Sequence, residues 1–139
     1  MQTNLPEWIT VHLTLTDSGV TIAIDDDTRG LQQCSLEASL KVWNHSPTGF
    51  GYGYAGSGPA QTALAILLTY GLSPQEATYH HQRFKFDHVA KWKHDNYGGV
   101  RSLSIQVPIG VWLKAERATA KYAAFRELAN RGKTVFTQR

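Results

Sequence analysis

Hydrophobic and polar residues alternate along the first part of the chain in a pattern that predicts β-structure. Residues 8–15 and 20–24 place β-branched or apolar side chains at roughly every second position, which is the period of a strand with one buried face. Asp17-Ser18-Gly19 between them has the composition of a tight turn, so the two segments predict an antiparallel hairpin. We interpret residues 25–30 as a loop and residues 36–43 as a third strand of the same small sheet.

The pattern changes to a helical one after residue 58. Residues 60–70 are apolar on nearly every side, which indicates a buried helix, with Pro59 at its first position and Gly71 at its end. Ser73-Pro74-Gln75-Glu76 has the form of a second helix start, with a serine cap and a glutamate three residues later. A short strand is predicted at residues 103–107. The predicted helices are residues 59–70, 74–93 and 108–130.

These elements predict an α+β fold, a small antiparallel sheet packed with about three helices, in a single domain of residues 1–139. A hydrophobic content of 42% and a charged content of 18% are typical of a globular chain. The longest apolar run has six residues, Ala63 to Leu68, whereas a membrane span needs about 20. The N-terminus has no signal-peptide pattern, and one cysteine, Cys34, allows no internal disulfide. We therefore expect a cytoplasmic protein that does not engage membranes.

Charge is distributed unevenly along the chain. Residues 1–82 carry two basic and seven acidic groups, whereas residues 83–139 carry twelve basic and four acidic groups. A basic half favours an anionic partner, such as a phosphate, a nucleotide or an acidic protein surface. A solvated surface without a partner is the simpler alternative.

The segment from Asn44 to Gly58 is the richest in glycine, proline and serine, and it leads directly into the first predicted helix. A glycine-rich approach to a helix N-terminus exposes backbone N–H groups that suit an anion. Gly51-x-Gly53-x-x-Gly56 formally matches the dinucleotide fingerprint, but no βαβ unit surrounds it, so we discount that match. The alternative to an anion site is a purely structural role of the loop, since glycines also permit the chain to follow a tight path past a buried helix.

A ligand site at this loop has polar groups at its entry, tyrosines that stack on a base, a helix start and nearby basic residues. The candidate ligand-binding residues are Asn44, His45, Ser46, Thr48, Tyr52, Tyr54, Ser57, Gly58, Arg83 and Lys85. A second form of the hypothesis places a phosphate on His81 and Lys85, which share a helix face. The histidines lack the spacing of a zinc site, so we assign no metal, no cofactor and no catalytic residue.

The last predicted helix carries a basic stripe of Lys114, Arg117 and Lys121 at spacings of three and four. The opposite face, traced by Ile109, Leu113, Ala120, Ala124 and Leu128, predicts the core side. Additional apolar residues, Trp112 and Phe125, indicate either more core or a homo-oligomer interface. No nucleic-acid-binding motif is present, so a protein is the more natural partner of this stripe than a nucleic acid.

Residues 44–50, NHSPTGF, and residues 53–61, GYAGSGPAQ, resemble an uncharacterised family of small bacterial and phage proteins. The family pattern resembles NHSPTGF, an acidic residue and Trp, then GYGGSGPAQLALALL. The resemblance covers roughly residues 40–115 and includes Arg83-Phe84-Lys85-Phe86. It implies a phage or mobile-element origin and a place in the cytoplasm of a bacterial host cell. It implies no particular reaction.

This chain departs from the family pattern at four positions. Gly51 stands at the acidic position, Tyr52 at the tryptophan, Ala55 at a glycine and Thr62 at a leucine. An acidic catalytic base at position 51 would be missing here. The departures therefore favour a binding role over catalysis.

Three functions remain, in order of preference. The first is a non-enzymatic protein that binds an anionic ligand, a nucleotide or a nucleotide-derived immune signal, and thereby counters host defence. The second is a protein–protein inhibitor of a bacterial defence complex, in the manner of anti-CRISPR proteins, acting through the basic stripe. The third is a small phosphohydrolase with His45 as its acid–base group.

Overall fold

The computed structural model describes residues 5–93 and 101–132, which form a four-stranded antiparallel sheet and five α-helices. The strands lie in the order β3-β2-β1-β4. Their bounds are β1 Ile9–Thr16, β2 Gly19–Asp26, β3 Gly30–Gln33 and β4 Arg101–Val107. The helices are α1 Leu36–Val42, α2 Ser57–Tyr70, α3 Pro74–Asp87, α4 Ile109–Arg117 and α5 Ala120–Asn130. The predicted α+β class is confirmed, and the predicted helix number is too low.

The N-terminal hairpin forms as predicted. Thr16 pairs with Gly19 across a two-residue turn, and Gly19 adopts a φ of +120°, which favours glycine. Val11 and Leu13 of β1 point into the core and are fully buried. His12, between them, lies on the other face, where its Nδ1 is 2.8 Å from the Ser104 hydroxyl of β4. The alternation in the sequence therefore separates the core face from the solvent face.

The prediction of a strand at residues 36–43 is wrong, because residues 36–42 form α1. Ser35 caps this helix: its hydroxyl accepts a hydrogen bond from the Ala38 N–H at 3.0 Å. The third strand is instead β3, which begins at Gly30. Asp26 turns the chain toward it by accepting hydrogen bonds from the N–H groups of Thr28 and Arg29 at 2.8 and 2.7 Å.

Helix α2 is the central element of the core. Every residue from Gly58 to Leu67 is buried, as its apolar composition predicts. The helix ends at Gly71, whose φ is +128°, a conformation that favours glycine. Ser73 then caps α3, and its hydroxyl accepts from the Glu76 N–H at 3.2 Å. Helix α3 is shorter than predicted, ending at Asp87, and a 3₁₀ turn, Val89–Lys91, follows.

The predicted helix 108–130 is two helices rather than one. Thr119 interrupts it by capping α5, with its hydroxyl accepting from the Tyr122 N–H at 3.1 Å. The break changes which residues face the core: Tyr122 and Phe125 are buried on α5. Three residues that the sequence placed on the core side are exposed, Ala120, Ala124 and Leu128.

No helix in the described ranges has the length and hydrophobicity needed to cross a membrane.

Candidate functional site

Gln61 of α2 fixes the segment that follows α1. Its Oε1 accepts hydrogen bonds from the His45 and Ser46 N–H groups at 2.7 and 3.1 Å. Its Nε2 donates to the Ser39 hydroxyl at 2.8 Å and to the Trp43 carbonyl at 3.0 Å. The amide is fully buried and makes all of these bonds inside the core. The backbone around His45 is therefore held rigidly against α2.

The two imidazoles of His45 and His81 face each other, with their Nε2 atoms 2.9 Å apart. The Nδ1 atom of His81 lies 2.7 Å from the Thr78 carbonyl. A carbonyl only accepts, so this Nδ1 carries a hydrogen and the Nε2 of neutral His81 is an acceptor. His45 must then donate from its own Nε2, which leaves the lone pair of its Nδ1 free. The neighbours of the pair thus determine both tautomers.

Trp43 covers one side of this pair. Its ring stacks on that of His45, with centroids 4.9 Å apart and planes inclined by 15°. Burial lowers the pKa of His45, and the positive charge of Lys85 lowers it further. Burial also lowers the pKa of His81, to about 4, with His45 and Lys85 acting in the same direction. Both imidazoles are therefore neutral at pH 7.

Lys85 adds a positive charge beside the pair. The residue as a whole is only 7% exposed, but its Nζ atom is accessible to solvent, and burial lowers its pKa. Within the described part of the chain no carboxylate lies at ion-pair distance from it. Its Nζ lies 4.1 Å from the centre of the Phe86 ring. The stem of Lys85 is therefore packed while its ammonium, without a carboxylate partner in the described ranges, remains open to an anion from solvent.

The glycines of the loop accommodate the ring of Tyr54. A Cβ atom added at Gly56 would lie 2.7 Å from a Tyr54 ring carbon, and one added at Gly58 would lie 2.7 Å from its hydroxyl. Gly51 and Gly58 also approach each other closely through their backbones. Thr62 ties this part of the loop to α2, since its hydroxyl contacts both the N–H and the carbonyl of Gly51. Tyr54 therefore lies over the start of α2.

Of the candidate residues, the structure brings together His45, Lys85 and His81, the last of which belongs to the second form of the hypothesis. It adds Trp43 and Gln61, which the sequence did not indicate. The Ser46 hydroxyl donates to the Gly49 carbonyl at 2.7 Å within the loop. Arg83 is exposed, about 200° around α3 from Lys85. The remaining candidates are not brought to the imidazole pair by any contact in the described ranges: Asn44, Thr48 and Ser57 are exposed, and Tyr52 packs against the core.

The residues of the basic stripe lie on two helices. Lys114 is exposed on α4 and Lys121 is exposed on α5. Arg117 instead bonds to Glu76 of α3 at 3.3 Å, so its charge is partly compensated. The expected continuous stripe on one helix is therefore not formed.

Side chains of both C-terminal helices, α4 and α5, contact the carboxylate of Glu76. The Tyr122 hydroxyl donates to its carboxylate at 2.5 Å, and Arg126 lies 3.5 Å from it. His80 contacts the same carboxylate at 3.1 Å. Burial acts to raise the pKa of Glu76, but the hydrogen bonds and Arg117 outweigh it and hold the value at about 2. This cluster, beside a cavity of about 310 Å³, fastens α4 and α5 to α3.

Sequence reasoning missed Gln61, Trp43 and Glu76 as organising residues. A signal for one of them existed, because Gln61 and Thr62 are polar residues within an otherwise apolar buried helix and buried polar groups need partners. Among the residues that the structure describes, no three His, Cys, Asp or Glu side chains gather as metal ligands.

The fold and the site define a small α+β protein with a tautomer-fixed histidine pair and, beside it, an ammonium that has no carboxylate partner among the described residues. Residues 14–109 match the model of a family of unknown function, DUF6166, and the chain belongs to that family. The matched region contains His45, His81 and Lys85, whereas α5 and nearly all of α4 lie beyond it. No curated protein and no solved structure matches the chain.

Proposed function

We propose that the protein binds a small anionic ligand, a nucleotide or a nucleotide-derived molecule, at the cluster of His45, His81 and Lys85. The observation that carries this proposal is the positive charge of Lys85, which ends a largely buried residue beside the imidazole pair and has no carboxylate partner in the described ranges. An anionic ligand would supply a counter-charge to this ammonium and would form charge-assisted hydrogen bonds with it.

The groups around Lys85 suit a phosphate with hydroxyls nearby. The ammonium offers hydrogen-bond donors to phosphate oxygens. The free Nδ1 of His45 is an acceptor and suits a ribose hydroxyl. Trp43, already stacked on His45, presents aromatic surface of the kind on which a base stacks.

This proposal moves the ligand from the start of α2 to the entry of the loop. Tyr54 lies over Gly56 and Gly58, which supports the architectural explanation of the glycines. A side chain added at Gly58 would collide with Tyr54 and with the Gly51 backbone, so substitutions there report on the packing of the loop and not on ligand binding.

The biological setting is a proposal that rests on the sequence motif alone. We propose a phage or mobile-element protein that removes a nucleotide immune signal and so counters host defence in the bacterial cytoplasm. Inhibition of a defence complex through Lys114 and Lys121 is less favoured, because Arg117 is engaged with Glu76 and the three residues do not share one helix.

A thermal-shift panel tests the binding proposal. Mono-, di- and cyclic nucleotides and ADP-ribose are added to the wild-type protein, to Lys85→Gln and to the control Lys114→Gln, which removes an exposed lysine. A ligand at about 100 times its Kd stabilises the fold by about 2.7 kcal/mol. Stabilisation of the wild type and the control, but not of Lys85→Gln, is expected. Equal stabilisation of all three proteins, or none at all, would refute the site.

A further inference from the structure

The histidine pair has the arrangement of a proton acceptor held in one tautomer. His81 is fixed by the Thr78 carbonyl, and His81 in turn fixes His45 with its Nε2–H donated inward. The Nδ1 of His45 has no hydrogen-bond partner in the described part of the chain, and it is not enclosed. A base whose second nitrogen is oriented by a partner is the general logic of an activated histidine.

The net charge of the cluster indicates which class of ligand would bind beside this base. The cluster offers one positive charge, on Lys85, beside two neutral imidazoles. A phosphodiester carries one negative charge, whereas a monoester or a pyrophosphate carries about two or more near pH 7. One ammonium therefore compensates a diester fully and a monoester only in part.

We propose that His45 is a catalytic base for hydrolysis of a phosphodiester, such as a cyclic nucleotide, held by Lys85. Water attacks phosphorus as one of its protons passes to the Nδ1 of His45. The bond from phosphorus to the leaving oxygen breaks with its electron pair, and that oxygen takes the proton back from Nδ1. The products are a phosphomonoester and an alcohol, which are two groups of the same molecule when the diester is cyclic. This inference rests on the proposed binding function and replaces sequestration of the ligand by its destruction.

His81 is a positioning residue in this scheme. It accepts the Nε2–H of His45 and so keeps the lone pair at Nδ1. Among the described residues, the groups that face His45 are His81 and Lys85 of α3, of which Lys85 lowers its pKa, and the uncharged ring of Trp43. Because the pKa of His45 is below its ordinary value, a larger fraction of this base is unprotonated at a given pH than for a free histidine.

The probe is bis(4-nitrophenyl) phosphate, a monoanionic diester that releases coloured 4-nitrophenolate. The wild type is expected to accelerate the release, and His45→Gln to lower the rate about 100-fold or more, the usual contribution of a general base. The control His12→Gln alters a histidine on the opposite sheet face and should keep the wild-type rate. Between pH 7.5 and 6.5 the rate should fall less than it would for a base with the ordinary histidine pKa. The dianionic 4-nitrophenyl phosphate should be cleaved more slowly.

A second pair of variants separates positioning from folding. His81→Leu removes the acceptor and should lower kcat with little change in KM, whereas the amide oxygen of His81→Gln should restore part of kcat. Unfolding midpoints of all variants show whether each is folded.

Three results would overturn the catalytic proposal. They are no release by the wild type above buffer, an unchanged rate in His45→Gln, or faster cleavage of the monoester. Thermal stabilisation by 3′,5′-cyclic AMP that depends on Lys85, without turnover, would refute catalysis and leave binding intact. Absence of both stabilisation and turnover would refute both proposals.

Discussion

The Nε2 atoms of His45 and His81 lie 2.9 Å apart although 36 positions separate the two residues. The contact joins the segment after α1 to the middle of α3, and Gln61 of α2 holds the backbone on the His45 side. Three helices thus meet at one pair of neutral imidazoles. The contribution of this histidine pair to stability and its contribution to ligand binding can be measured separately.

Stability should fall as the pH decreases from about 6.5 to 4, because His81 is neutral in the folded protein down to a pKa of about 4. The unfolded chain takes up a proton near pH 6.5 that the folded protein does not bind, which costs on the order of 3 kcal/mol by pH 4. Urea unfolding at several pH values measures this loss in the free energy of unfolding. His45 and His88 act in the same direction, so the comparison with His81→Asn isolates the His81 contribution. An equal slope in His81→Asn would contradict this explanation.

Gly56 should tolerate a side chain only when Tyr54 is absent. A Cβ at Gly56 would contact only Tyr54 among its near neighbours, and its φ of −124° suits any residue. Gly56→Ala should cost about 1–3 kcal/mol in the wild type and little in a Tyr54→Ala background, as a double-mutant cycle by urea unfolding would show.

Gly58→Ala is the matched comparison for this cycle. Its Cβ would also meet Gly51 backbone atoms at 3.2 and 3.3 Å, so Tyr54→Ala should not rescue it. Rescue of Gly58→Ala, or failure to rescue Gly56→Ala, would show that Tyr54 is not the reason for these glycines.

Replacing Gln61 by leucine should destabilise the protein by roughly 3 kcal/mol, since it leaves the His45 N–H, the Ser46 N–H and the Trp43 carbonyl without partners. Hydrogen exchange at the first two amides should accelerate. Thr69→Val on the same helix removes a bond to the Ala65 carbonyl and serves as the control, with a cost near 1 kcal/mol. Equal costs for the two variants would argue against a special role of Gln61.

Glu76 should be the most sensitive charged residue in the attachment of α4 and α5. Glu76→Ala removes the acceptor of Tyr122 and the partner of Arg117, and should cost about 3–5 kcal/mol. Arg126→Gln should cost less than about 1 kcal/mol, because this arginine is half-exposed and 3.5 Å from the carboxylate. Urea unfolding gives both values, and hydrogen exchange in α5 reports detachment. The prediction fails if Arg126→Gln lowers the free energy of unfolding as much as Glu76→Ala does.

Elements with a long, regular pattern were predictable from the sequence. The hairpin alternates over two eight-residue strands, and α2 is apolar on all sides. By contrast, α1 has seven residues and β3 four, too few to establish a period. The Ser35 cap starts α1 and the Asp26 turn leads into β3. Each of these signals rests on a single side chain and produces no periodic pattern in the sequence.

The candidate site was predictable only in part. The sequence singled out His45 and Lys85, and it placed His81 on the same helix face as Lys85. Pairing of His45 with His81 depends on how α1, α2 and α3 pack, a tertiary relationship that no local pattern encodes. The same holds for Tyr54, whose position over Gly56 and Gly58 gives the glycine-rich loop a reason that spacing alone does not reveal.

The most direct test of ligand binding at the histidine pair is an NMR titration of ¹⁵N-labelled protein with the nucleotide that stabilises it most. Binding at the proposed site predicts saturable shifts of the imidazole nitrogens of His45 and His81 and of the backbone amides around Ser46. The imidazole of His12 should not move. Shifts centred on the amides of Gly56 and Gly58 with unchanged imidazoles, or no saturable shift, would contradict the proposed site.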